Sequence, residues 1–343
     1  MARGGEGRGL LVLIVLTAAL YAQTWTAPFV YEDEHWFRSV TEAPTVPLAP
    51  SRALTAWSYH LTWQMAGGVP ALYHAGNVAL HLVNGALVYA LATALVPGAG
   101  LLAAGVFLLH PLSSSAVAYL AGRSDLLMTT WILLALVLTV HGSSWWRWGL
   151  AWGACGLAAM SKEIGIVAPV LLALTHSLWR PEMATRAWIG VWVMAGAAAG
   201  WAWAPLLNWI AMPPHIGGSA LSWPHYVWLQ NAALWHLLAL VNPFGGFSID
   251  HDVLAIAPVV RVQMLLLTAL CLVSLPLLWR VVPIAAWAVV MVGVSVAPRF
   301  VFQTSEFLTE PQMYLPFMAI SVLLGVGGHA LLTWTPRLQE RTA

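Results

Sequence analysis

Residues 72–89 read LYHAGNVALHLVNGALVY, an apolar run that continues to residue 96 and carries four polar side chains at regular steps. His74, Asn77, His81 and Asn84 recur every three or four residues, which places them on one face of a helix. The run exceeds the roughly 20 residues that a helix needs to cross a hydrocarbon core. A polar stripe on such a helix faces protein or water, and its structural reading is interhelical hydrogen bonding. His74, at the end that the topology below places outside, is the member best placed to meet a substrate.

The rest of the chain repeats this apolar character. Of 343 residues, 60% are hydrophobic and 8% charged, against about 25% charged in soluble domains. Mean hydropathy is +0.77. Apolar stretches run at 10–28, 72–96, 99–120, 124–141, 146–161, 164–180, 187–210, 258–279, 282–298 and 313–335. They predict an all-α, polytopic membrane protein of about ten spans, in a single unit over residues 1–343 with no separate soluble domain. The opening segment, with its basic flank, suits a cleaved signal peptide or an uncleaved anchor, and the spans that follow favour the anchor. A net charge of +1 leaves no basic footprint for nucleic acid. Cys155 and Cys271 lie inside apolar stretches without metal-type spacing, so neither a disulfide framework nor a zinc site is indicated.

Charge placement orients the chain. With a cytoplasmic N-terminus and ten spans, Arg3, Arg8, Arg147, Arg180, Arg186, Arg280, Arg337 and Arg341 lie inside, beside span ends where the positive-inside bias acts. Segment 223–244 carries His225, Gln230, Asn231, His236 and Asn242. Counting it as a span would move three of those arginines outside, so it is read as an amphipathic or re-entrant helix on the outer face. Ten of the thirteen acids then fall outside, together with the long segments 29–71, 211–257 and 299–312. Long loops usually carry function. The outer face is therefore the expected working face.

Several outer constellations have the composition of a site. FVYEDEHWF (29–37) places Glu32, Asp33, Glu34 and His35 in succession. HPLSSSAVAYLAGRSDLL (110–127) breaks a span at His110 and brings Arg123 close to Asp125, while MSKEIG sets Lys162 and Glu163 in a turn between spans. Ionisable residues at membrane depth are functional candidates, although an interfacial pair can also simply snorkel. SIDHD contributes Asp250, His251 and Asp252, and EFLTEPQMYLP contributes Glu306, Glu310 and Tyr314. Hard cations take carboxylates, so the two acidic clusters together admit a divalent-metal reading, without a spacing motif to support it.

Taken in order, FVYEDE, SRALT (51–55), LYHAGNVALHLVNGALVY, HPLSSSAVAYLAGRSDLL, SKEIGIVAPVLLAL, NPFGGFSIDHD and EPQMYLP resemble the multispan O-mannosyltransferases linked to tetratricopeptide repeats, and their bacterial relatives. The resemblance covers roughly residues 10–330 and implies the GT-C glycosyltransferase fold. It departs at Ser115, where the family carries an acid, at Pro311, where it carries an arginine, and in having no repeat array. Capture of the acceptor by a partner subunit would explain the missing array.

The resemblance implies transfer of a sugar, mannose in that family, from a polyprenyl- or dolichyl-phosphate carrier to an acceptor hydroxyl on a protein or glycan, with inversion. No resident cofactor is implied. A bacterial inner membrane, with the site on its periplasmic face, is favoured over the endoplasmic reticulum and its lumenal face. Asp33 matches the second acid of the family's acidic pair and is the expected general base, with Glu32 as its alternate; neighbouring acids raise one another's pKa. Arg52, Arg123, Lys162 and Arg299 are the expected ligands of the donor phosphate. His74, His110, Asp125, Glu163, Asp250, His251, Glu310 and Tyr314 are expected to line the pocket. Two other readings remain: a flippase or transporter of lipid-linked sugars, with polar stripes lining its path, and a catalytically silent scaffold subunit.

Overall fold

The computed structural model describes residues 2–30, 33, 52–210, 215–216, 219–248, 251–304 and 306–342. Within them the chain is helical, apart from an antiparallel ladder that pairs His215 with Ala220 and Ile216 with Ser219. The helices are α1 (Ala2–Tyr21), α2 (Ala53–Ala66), α3 (Pro70–Leu95), α4 (Gly100–Leu109), α5 (Pro111–Ala118), α6 (Arg123–Val140) and α7 (Trp145–Ser161). They continue with α8 (Ala168–Trp179), α9 (Pro181–Ile210), α10 (Trp223–Ala239), α11 (Pro258–Val281), α12 (Pro283–Val301) and α13 (Tyr314–Thr342). Proline stands at the first or second helical position of α3, α5, α8, α10, α11 and α12. There the missing N–H costs nothing and the fixed φ starts the helix, so the prolines that punctuate the sequence also set the element boundaries.

All ten expected spans are helical, but they do not all pass as membrane-crossing elements. Six helices among the described residues are long and apolar enough, and the α4–α5 pair, bent by 58° at His110–Pro111, makes a seventh. The expected count of ten is thus not reached on length and composition. Three expected spans are not among them: α7 and α8, which at 17 and 12 residues fall short of the roughly 20 that a crossing takes, and α9.

The core is built where α3, α4, α6 and α13 meet. Val88, Leu91, Phe107, Leu108, Leu133, Leu136, Phe317 and Val322 are fully buried there. Phe107 sits 5.0 Å from the Tyr314 ring and 6.3 Å from that of Phe317. By contrast α11 turns Leu266, Leu270, Val273 and Leu277 outward, and its most apolar window has no buried residue. A helix with apolar side chains exposed along its length fits a lipid surround and would be untenable in water.

The bundle has two unlike ends. At one, the connections at 96–99, 141–144, 180 and 282 are short. At the other lie the start of α3, the α4–α5 bend, the start of α6, the end of α7, the end of α12 and the start of α13, and with them the ionisable residues singled out above. Segment 223–244 forms α10, against α11 and α12. Its polar residues divide: His225 and Asn242 are exposed and His236 is half-buried, while Gln230 and Asn231 are buried against protein. Gln230 accepts from Leu308 N–H at 3.2 Å, and Asn231 accepts from the Thr268 hydroxyl at 2.6 Å.

Candidate active site

The polar stripe of α3 is the frame on which one side of the site hangs. Asn77 Nδ2 donates to the carbonyls of Val117 and Tyr119 at 3.3 and 3.2 Å, and its Oδ1 accepts from Arg123 Nε at 2.9 Å. His81 Nε2 faces the Leu108 carbonyl at 3.2 Å, and a carbonyl can only accept, so Nε2 carries the proton and Nδ1 accepts from the Tyr314 hydroxyl at 2.8 Å. Asn84 donates to the Leu126 carbonyl and to the Tyr314 oxygen. These three side chains are interhelical ties, and Tyr314 is tied into the core with them. His74 is buried at the head of the stripe, near the backbone of Ala27 and Ala118.

Arg123 is enclosed by protein. Besides Asn77 it donates to the Ser58 carbonyl at 3.4 Å, the Thr62 hydroxyl at 3.0 Å and the Tyr73 carbonyl at 2.7 Å. Its guanidinium carbon lies 4.5 Å from the Tyr59 ring centre and 5.6 Å from that of Tyr73. Four of its five N–H groups are therefore committed to α2 and α3.

The turn before Arg123 holds Asp33. One oxygen of that buried carboxylate accepts from Ala121 N–H at 2.9 Å and the other from Val30 N–H at 3.2 Å. The adjacent Leu120 carbonyl accepts from the Tyr59 hydroxyl. Gly122 makes the turn possible, because a Cβ there would stand 2.2 Å from the Ala116 carbonyl oxygen. Glu32, the expected alternate base, and Asp250 lie outside the described residues.

A charged cluster adjoins this turn. The Arg52 fork grips Glu163 at 2.6 and 2.9 Å, and Lys162 Nζ meets Asp125 at 2.6 Å in a nearly dry pair. Burial pushes the Glu163 carboxyl up, but the Arg52 guanidinium, with Lys162 beside it, prevails and holds it at about 2. Burial lowers the Lys162 ammonium, and the Asp125 carboxylate opposes that. Thr55 ties α2 to the end of α7 through the Ser161 carbonyl at 2.7 Å. Gly165 lets the turn close, since a Cβ would meet the Ala158 carbonyl oxygen at 2.1 Å. Arg299 is 6% exposed and donates to the Thr304 hydroxyl at 3.3 Å, while its buried Nε has no hydrogen-bond partner. Among the described residues it has no carboxylate within ion-pair distance.

Two residues connect these parts electrostatically. Tyr59 lies within reach of Asp33, Arg52 and Arg123, and Lys162 within reach of Arg52, Arg299, Asp125 and Glu163. Asp33 and the cluster thus belong to one end of the bundle and to one electrostatic neighbourhood.

A further chain runs beside α13. Glu310 Oε1 accepts from Ser248 N–H at 2.8 Å and from His251 Nε2 at 2.7 Å, and the other nitrogen of His251 meets His236 Nε2 at 3.0 Å. His236 was no candidate at the sequence level; its only signal was its place among the polar residues of 223–244. His110 is a hinge residue, since Nδ1 caps α5 by accepting from Leu112 N–H at 3.1 Å and Nε2 donates to the Val241 carbonyl at 3.0 Å. Ser115 bonds back to the Leu112 carbonyl of its own helix. Pro311 opens the turn Glu310–Met313, which Thr309 and Gln312 close as a capping box. Among the described residues no group of three or more His, Cys, Asp or Glu side chains is placed to hold a metal ion.

Fold and site together define the class: a polytopic, all-α membrane protein with a dense cluster of buried charge at one end of its helices. No protein-family model and no solved structure matches the chain. It is similar to curated proteins named protein O-mannosyl-transferase, at distant identity. Tmtc1 of Drosophila melanogaster is 33% identical over 195 residues, which is 50% of this chain and 23% of the fly protein. Tmtc2 of the same fly is 31% identical over 191 residues, 46% of this chain and 20% of that protein. TMTC2 of Mus musculus is 27% identical over 197 residues, 48% of this chain and 23% of the mouse protein. The likeness therefore spans about half of this chain and less than a quarter of each relative.

Proposed function

We propose that the chain is an integral-membrane O-glycosyltransferase that moves a sugar from a polyprenyl- or dolichyl-phosphate carrier to an acceptor hydroxyl at the end of the bundle where the long loops lie. The printed names of its relatives favour mannose as the sugar and a protein as the acceptor. The observation that carries the reading is the shared neighbourhood of Asp33 and the charged cluster. A base for the acceptor and cations for a phosphate leaving group are the two things this transfer requires.

In the proposed reaction the acceptor oxygen attacks the anomeric carbon from the face opposite the phosphate. The bond between that carbon and the phosphate oxygen breaks, the configuration inverts, and the hydroxyl proton passes to Asp33. The two backbone N–H bonds to Asp33, from Ala121 and Val30, hold the carboxylate in a fixed orientation. Of the four expected phosphate ligands, Arg299 is the best supported, because Arg52 and Lys162 are already paired with carboxylates and Arg123 is committed to protein acceptors. Arg123 then acts as the residue that positions the Asp33 turn.

The test is transfer of radiolabelled mannose from polyprenyl-phosphate mannose to a protein acceptor by the purified chain in lipid vesicles, with the linkage resolved. Product of inverted configuration supports the reading. Consumption of no donor, or movement of the intact donor between leaflets without transfer, contradicts it and favours a flippase.

A further inference from the structure

The opposite end of the bundle, which takes no part in the proposed chemistry, carries a cleft between α7 and α9. It is lined by Trp145, Trp148, Gly149, Trp152 and Arg186 and measures about 310 Å³. One wall depends on Gly190 of α9, where a Cβ would stand 2.0 Å from the Trp152 ring, so the ring lies against α9 because this side chain is missing. On the facing helix, a Cβ at Gly149 would meet nothing within 4 Å, so the cleft stays open above it. Trp148 is 7% exposed, yet its indole N–H has no hydrogen-bond partner. Trp145, at the rim, is 86% exposed.

The charge around the cleft is one-sided. Arg186 makes no ion pair among the described residues, and the Arg147 guanidinium rests 5.2 Å from the Trp146 ring centre without a carboxylate. The nearby acid in sequence, Glu182, meets Arg180 at 3.7 Å with both side chains about half exposed. Tryptophans gather at the membrane interface because their rings are apolar and their N–H groups want a polar partner, and basic pockets between spans take anionic headgroups.

We infer that this cleft is a binding site for an anionic phospholipid of the adjoining leaflet. The phosphate sits against Arg186, and the apolar part of the lipid lies on the tryptophan faces. The site is independent of the glycosyl-transfer reading and requires only that the chain spans a bilayer.

The experiment is thermal unfolding of the purified, delipidated full chain, titrated with phosphatidylglycerol, with phosphatidylcholine of the same acyl chains, and with inorganic phosphate. A ligand that binds only the folded state raises the melting temperature in proportion to its affinity. The wild type is expected to gain more from phosphatidylglycerol than from phosphatidylcholine and nothing from phosphate. Arg186→Gln and Gly149→Leu, whose Cβ enters open space and whose side chain occupies the cleft, should each lower apparent phosphatidylglycerol affinity by about fivefold. If Arg186→Gln fails to fold, Gly149→Leu decides alone. Equal stabilisation by the two lipids, an unchanged preference in Gly149→Leu, or full reproduction of the effect by phosphate overturns the assignment.

Discussion

Arg299 and Arg123 are both buried arginines at the same end of the bundle, and their surroundings give them opposite roles. Arg123 spends four N–H groups on fixed protein acceptors, so its removal takes the donor from the buried Asn77 Oδ1, breaks the tie between α2 and α3 and unpacks two tyrosine rings. Arg123→Ala should therefore cost stability, about 3–5 kcal/mol as for other broken buried networks, and lower the unfolding temperature in detergent. Arg299 has one long contact and a buried, unpartnered Nε. Arg299→Gln should leave unfolding nearly unchanged and weaken the donor by about 10- to 100-fold, the worth of a charge-assisted hydrogen bond, read as the donor KM in the mannose-transfer assay. The sequence could not separate these two residues. Both were cations beside apolar runs, and what distinguishes them is their partners, which for Arg123 lie 46 to 65 positions away in the chain.

At the scale of elements, the site is assembled from interruptions of helices. The bend at His110–Pro111, the turn Leu120–Gly122, the turn at Lys162–Gly165 and the capped turn at Glu310 each carry a motif out of a continuous helix. His-Pro and KEIG were legible as breaks because proline and glycine have fixed local meanings. The tie between His110 and Val241 was not, since nothing local announces it. The His236–His251–Glu310 chain has its own consequence for pH. Burial lowers the His236 pKa, the adjoining His251 lowers it further, and Glu310 partly opposes both. A histidine whose folded pKa is depressed contributes no penalty above its unfolded value of about 6.5, and destabilises progressively as pH falls below that. The unfolding temperature should therefore drop between pH 7 and pH 5, and His236→Gln should flatten that drop. Asp252 caps the neighbouring turn through Leu254 and Ala255 N–H and does not share a hydrogen bond with the chain.

For the whole molecule, each of the ten apolar stretches is helical, because apolar runs near 20 residues leave few alternatives, while α2 was not marked by hydropathy. Hydropathy did not separate long helices from short ones, because α7 and α8 are as apolar as spans without being as long. The polarity of the bundle was legible too: the short connections with Arg147, Arg180, Arg186 and Arg280 fall at one end, and the acids of the motifs at the other. Single cysteines at Ser219 and Ser248 should label from the same side of the membrane and one at Ser143 from the opposite side; labelling of 219 and 248 from opposite sides would make α10 a crossing. The likeness to O-mannosyl-transferases and the charge cluster meet in one claim, that Asp33 takes the acceptor proton. The most direct measurement is the rate of mannose transfer by Asp33→Asn beside wild type in the same vesicles, with matched unfolding temperatures. Asparagine keeps the shape and removes the basicity, so transfer should fall by at least about 100-fold, in keeping with the worth of a positioned base. Transfer by Asp33→Asn at the wild-type rate would contradict the account.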